Sequence, residues 1–182
     1  MARCRRADEA SRAEGSRRDA AERDHRTVAR RARLSAYFDS SIVTRWYVPE
    51  AGSGPAIRIR DTYEPPAILT HLHRVELTTA WHLKVFRREL RLETVVQALA
   101  DLEHDVDAGV WEPPAYDLGD VHERAERLAR RHAAALGTRS LDILHVAAAL
   151  SLGSSDFVTG DRRQASLAKA AGLTTVLVGS RS

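Results

Sequence analysis

The sequence predicts an α/β protein of three layers, α/β/α, around a central and mainly parallel sheet. Three observations predict it. Short runs of β-branched, aromatic and other apolar residues alternate with segments of helical spacing through residues 35–182. The connections between those runs are too long for hairpins, which favours crossovers. The composition, 43% hydrophobic and 29% charged, is that of an ordinary globular chain. It excludes a collagenous, coiled-coil or wholly disordered protein.

Each element follows from its residues. Ala36-Tyr37-Phe38 is a short strand ended by Asp39, and Ser40 and Ser41 behind it are good helix-capping residues. Residues 42–48 read as a short helix, halted by Pro49 and Gly52. After the Pro65-Pro66 break, Ala67-Ile68-Leu69-Thr70 is a second strand. Helical spacing resumes near His73 and runs to Leu90, with Val75, Thr79, Leu83 and Phe86 as its apolar stripe. Residues 92–106 form another amphipathic helix, ended by Gly109. Trp111 and Tyr116 flank Pro113-Pro114 in a connection with room for a short strand.

The second half has the same punctuation. Residues 120–136 read as a strongly charged helix with Gly137 as its C-cap. Ser140 caps a helix over 141–152, closed by Gly153. Asp156-Phe157-Val158-Thr159 is a third strand, ending just before Asp161. A short helix over 164–171 ends at Gly172, and residues 174–178 form a last, β-branched strand. No internal repeat is visible.

Residues 1–34 differ in character. They hold 11 Arg and six acids, a net of +5, whereas residues 35–182 carry a net of −2. The basic balance of the chain therefore belongs to this extension and says nothing about nucleic-acid binding by the folded part. The extension has no stripe to bury, so disorder or a lone polar helix is expected. Its readings are a nucleic-acid-binding arm or a start codon assigned too early in a GC-rich gene, as 26 Arg against 2 Lys suggest. The single cysteine, Cys4, excludes an intrachain disulfide framework and any multi-cysteine metal site. No apolar run approaches the roughly 20 residues that cross a bilayer, and the N-terminus develops no signal-peptide core. A soluble, cytoplasmic protein with no membrane partner is the expectation.

Four acids stand out because each falls where a strand ends or a helix begins: Asp39, Glu76, Asp142 and Asp161. In an open parallel sheet the carboxyl ends of the strands share one edge, where ligands bind. Acids far apart in sequence can therefore meet there. At about 5 Å and an effective dielectric near 20, each carboxylate pair repels by roughly 3 kcal/mol. Oxygen-only ligands select Mg²⁺ or Mn²⁺ over zinc, and such ions assist in-line phosphoryl displacement. Each acid also has a structural reading as a helix cap or a favourable helix-dipole charge. The combination, and no single member, carries the inference.

These residues resemble the motifs of PIN domains. The segments are Tyr37-Phe38-Asp39-Ser40-Ser41, Arg74-Val75-Glu76-Leu77, the run from Leu141 through Asp142 and His145 to Ala149, and Val158-Thr159-Gly160-Asp161-Arg162-Arg163. Their order and spacing are similar to those of VapC toxins from type II toxin–antitoxin pairs. The likeness covers about residues 35–178, and the block around Asp142 is its most specific part. It implies a Mg²⁺-dependent endoribonuclease that cuts structured RNA, usually tRNA or rRNA, and stops translation.

By the same resemblance Asp39 and Asp142 are the principal metal ligands, Glu76 completes the metal site and Asp161 is the fourth acid. Thr159 matches a hydroxyl position that helps to place a water or phosphate. His145, one turn from Asp142 on the same helix face, reads as a packing residue. The resemblance further implies a VapB-like antitoxin and a homodimer. Trp46, Tyr47, Trp81 and Phe86 on the early helices are candidates for the antitoxin's groove, or else for the core.

Three other readings compete. A PIN-fold nuclease could serve RNA processing and not be a toxin. A catalytically silent binding module predicts a missing acid, and none of the four is missing. A phosphatase of the haloacid dehalogenase type needs a second acid two residues after Asp39, where this chain has Ser41.

Overall fold

The computed structural model describes residues 36–179, so the basic extension at 1–34 lies outside the described residues. The elements, in order, are β1 (Ala36–Phe38), α1 (Ser40–Tyr47), α2 (Ser53–Arg60), β2 (Ala67–Ile68), α3 (His71–Phe86) and α4 (Leu92–Asp107). There follow β3 (Trp111–Glu112), α5 (Leu118–Leu128), α6 (Ala134–Leu136), α7 (Ser140–Ser151), β4 (Asp156–Thr159), α8 (Arg162–Ala170) and β5 (Thr174–Leu177). A π-helical turn, Ala129–Ala133, joins α5 to α6.

Among the described residues every strand pairing is parallel, as the crossover lengths predict. β4 is the centre of one ladder, with Phe38 opposite Val158 and Val158 opposite Val176. β2 pairs with β3, Ala67 opposite Trp111, and β2 lies against β1. Side chains alternate between the two faces of a strand, and the core divides accordingly. Phe38 and Val158 pack with Ile42, Leu77, Trp81, Val95 and Leu102 of the first four helices. Tyr37 and Phe157 pack with Val121, Val146, Ala147 and Leu167 of α5, α7 and α8. The result is three layers. Among the described residues no helix is long and apolar enough to cross a membrane.

Two local expectations need correction. The residues of α2 were not predicted as a helix: Gly52, at φ 93°, reverses the chain after Pro49, and the new helix is tied back where Trp46 Nε1 donates to Ala56 O at 2.9 Å. That positive φ is the conformation that favours glycine. The second correction concerns α3. Its predicted stripe faces solvent, with Val75 64%, Leu83 43% and Phe86 83% exposed. The buried residues are instead His73, Leu77 and Trp81. At 100° per residue the two rows lie on opposite sides of the helix. Periodicity favoured the wrong row because the right one begins with a histidine.

His73 can be buried because both its ring nitrogens are bonded. Nε2 donates to Phe38 O at 2.7 Å, and Nδ1 accepts from Thr70 N–H at 3.0 Å. Thr70 also caps α3, its hydroxyl oxygen accepting from His73 N–H at 3.3 Å. The same packing decides between the two readings of the early aromatics. Trp81 is fully buried and Trp46 and Tyr47 pack against the core, so of the four proposed groove aromatics only Phe86 is exposed.

Candidate active site

The chain leaves β1 at Asp39 and β4 at Thr159, neighbouring positions on the carboxyl edge of the sheet. Asp39 N–H continues the ladder, donating to Val158 O at 2.9 Å. Asp39 is the N-cap of α1, its Oδ1 accepting from Ser41 N–H, while Oδ2 accepts from the Thr159 hydroxyl. Thr159 Oγ1 also lies 2.6 Å from the Gln164 side-chain amide and accepts from Asp161 N–H at 3.0 Å. A hydroxyl has one proton. Asp39 Oδ2 and Gln164 Oε1 are both acceptors, so they share the single Thr159 proton. Thr159 therefore joins Asp39 to Asp161 and is engaged in holding the first acid.

Asp39 is only 3% exposed. Burial pushes its carboxyl above the ordinary range, and the attraction of His145 and the bonds from Thr159 and Ser41 offset this only in part. Taking a carboxylate out of water in this way disfavours its charged form.

Glu76 lies one layer away on α3, yet it reaches the same place. Its Oε2 accepts from Ser40, the neighbour of Asp39, at 2.7 Å, and from His145 Nε2. Burial raises the Glu76 carboxyl, but the hydrogen bond and charge of His145 and the Ser40 bond outweigh it and hold the group below the usual range. His145 comes from α7 in the opposite layer, so this bond spans the end of the sheet. Its Nδ1 meets the Tyr37 hydroxyl at 2.8 Å. Burial, with the charge of His145, lowers the neighbouring His73 to about 3, against the opposing Phe38 carbonyl bond.

The other two acids sit where helix capping puts them. Asp161 is the N-cap of α8, its Oδ1 accepting from Arg163 N–H at 2.6 Å and Gln164 N–H at 3.2 Å. Asp142 lies in the first turn of α7, its Oδ2 accepting from Arg139 N–H at 2.9 Å. Carboxylates at helix N-termini interact favourably with the helix dipole.

Shared partners thus bring Asp39, Asp161 and Glu76 to one edge. Asp142 is connected through α7, one turn before His145. Among the described residues no three His, Cys, Asp or Glu side chains gather closely enough to hold a metal ion. Carboxylate oxygens are nonetheless the donors that a hard divalent cation takes, and Asp39, Glu76 and Asp161 lie at this edge. Sequence reading missed Ser40, Tyr37 and His73 as polar members of the site. It recognised His145 as buried but not as bonded. The only local signal was a histidine inside an apolar run.

No protein-family model matches the sequence, and no curated protein matches it. Solved structures do. The chain is similar to VapC20 of Mycobacterium tuberculosis, described as a sarcin-ricin loop cleaving toxin, at 19% identity and a TM-score of 0.57. That match covers 79% of this chain and 99% of the other. It is also similar to FitAcB of Neisseria gonorrhoeae, at 16% identity and a TM-score of 0.53, over 77% of this chain and 95% of that one. At such identities the likeness is one of fold, and it agrees with the layers and sheet described above: the chain has the three-layer α/β/α fold of the PIN-domain toxins.

Proposed function

We propose that this chain is a Mg²⁺-dependent endoribonuclease, the toxic member of a toxin–antitoxin pair, which cuts structured RNA such as tRNA or rRNA in the cytoplasm. The observation that carries the reading is Asp39. It is a buried acid at the end of β1, its carboxyl raised by burial, tied through Thr159 to Asp161 and flanked through Ser40 by Glu76. Asp39, Glu76, Asp142 and Asp161 would hold the cation, with Mn²⁺ as a substitute. A bound ion would neutralise phosphate charge and lower the pKa of an attacking water. The chain's own residues supply the fixed frame. Thr159 orients Asp39, while Ser40 and His145 orient Glu76.

The partner reading moves from the predicted aromatics to the exposed face of α3. A groove of about 460 Å³ there is lined by Leu72, Val75, Thr79, Leu83, Leu141 and Glu76. An apolar antitoxin segment lying in it would abut Glu76, so binding and inhibition would coincide. A homodimer belongs to the same reading.

The test is cleavage of total RNA by the purified protein, with Mg²⁺ or EDTA, beside Asp142→Asn. Discrete fragments that need both the metal and Asp142 are expected. Equal cleavage in EDTA, or by Asp142→Asn, would overturn the proposal.

A further inference from the structure

We propose that His145 is a positioning residue for Glu76, anchored by Tyr37: a chain of two hydrogen bonds, between the Tyr37 hydroxyl and His145 Nδ1 and from His145 Nε2–H to Glu76 Oε2, fixes this carboxylate at the end of the sheet. Its catalytic meaning rests on the nuclease reading, but the chain of bonds does not.

The direction of the Glu76 bond follows from the groups. An ionised carboxylate can only accept, so the proton on the Glu76 side belongs to His145 Nε2. The other ring nitrogen, Nδ1, lies 2.8 Å from the Tyr37 hydroxyl, so the ring is held at both ends. The orientation of His145 is therefore fixed from behind, by a residue that never reaches the site.

The anchor is rigid. Tyr37 is fully buried, stacked on Phe157 with ring centroids 5.6 Å apart and planes 9° from parallel. His73 lies 4.9 Å from the Tyr37 ring and 4.9 Å from that of His145. A glutamate has three rotatable side-chain bonds, and two donors, Ser40 and His145, select one rotamer here. Both bonds fall on Oε2, which leaves Oε1 to face a ligand. Simple filling of α7 does not explain the histidine. Ile143, Val146 and Ala147 around it are buried and apolar, and a polar ring among them is unfavourable unless its nitrogens are bonded. Both are bonded, and the Glu76 bond links the two helical layers.

Two arms test this in the full-length protein. In the first, metal-free protein is examined by long-range ¹H–¹⁵N spectroscopy, with the His145 resonances assigned by their loss in His145→Gln. A ring protonated at Nε2, whose signals move in Glu76→Gln and in Tyr37→Phe, is expected. A ring protonated at Nδ1 alone, or signals indifferent to both changes, would overturn the proposal.

In the second arm, Mn²⁺ affinity is measured by calorimetry for wild type, His145→Gln and His145→Asn. The longer amide of Gln can reach Glu76 from the Nε2 side, whereas that of Asn stops near Nδ1. Loss of an orienting partner typically lowers metal affinity about 10–100-fold. Asn should show such a loss, and Gln should recover most of it at matched thermal stability. Equal affinity of Asn and wild type would overturn the positioning role. Wild-type protein that shows the expected ring but does not cleave RNA would instead remove the nuclease reading and leave the hydrogen-bond chain standing.

Discussion

Buried His73 gives the fold a calculable sensitivity to acid. Its pKa is lowered to about 3 from an unfolded value of 6.5, because burial disfavours the charged ring. Between those values the unfolded chain binds a proton that the folded one refuses, so stability rises with pH. The contribution is complete above pH 6.5 and is lost as pH falls towards 3. From pH 7 to pH 5 the loss amounts to about 2 kcal/mol, a fall of roughly 4–8 °C in Tm for a domain of this size.

Two acids beside His73 must be kept apart from this effect. Glu76, held low, adds its own loss only below its ordinary range. Asp39, pushed up by burial, works the other way and regains stability as it is protonated. Comparison with His73→Gln cancels both, since Gln keeps an N–H for the Phe38 carbonyl and cannot ionise. Thermal or urea melts at pH 7, 6 and 5 should show a wild-type fall larger than that of the variant by about 2 kcal/mol. Parallel falls would refute the buried neutral histidine.

Other outcomes follow from the same geometry. Asp39→Asn should abolish RNA cleavage and leave the melting temperature equal or higher, since an uncharged amide escapes the penalty of burial; retained cleavage would break the assignment of this acid. Trp81→Ala should destabilise the fold by about 3–5 kcal/mol, whereas Phe86→Ala should stay within about 0.5 kcal/mol, as urea melts would show. Val75→Glu combined with Leu83→Glu should leave stability nearly unchanged and weaken capture of a co-expressed antitoxin. Undiminished capture would place the partner elsewhere.

Much of this fold was legible along the chain. Pro49, Gly109, Gly137, Gly153 and Gly172 punctuate it, and the runs at Ala36–Phe38 and Asp156–Thr159 are short and apolar enough to be buried strands. These are properties of neighbouring residues, and local sterics and periodicity report them directly. The positions of Asp39 and Asp161 were legible for the same reason, because an acid just past a parallel strand lies at the ligand-binding edge.

Contacts between distant residues were not legible in that way. α3 carries apolar residues on two faces, and its periodicity does not say which one is buried. The choice falls to His73, whose burial is tolerated only because Phe38 O and Thr70 N–H meet its ring. Likewise nothing near Glu76 announces His145, 69 residues away, nor does His145 announce Tyr37, 108 residues away. The sequence by itself determined most of the elements, their parallel arrangement and the acids at the strand ends, since each depends on local spacing. Only the tertiary structure decided which helix face was core and which partners hold each acid. A buried polar group takes its bonds from whatever the fold brings to it, and no local pattern records that choice.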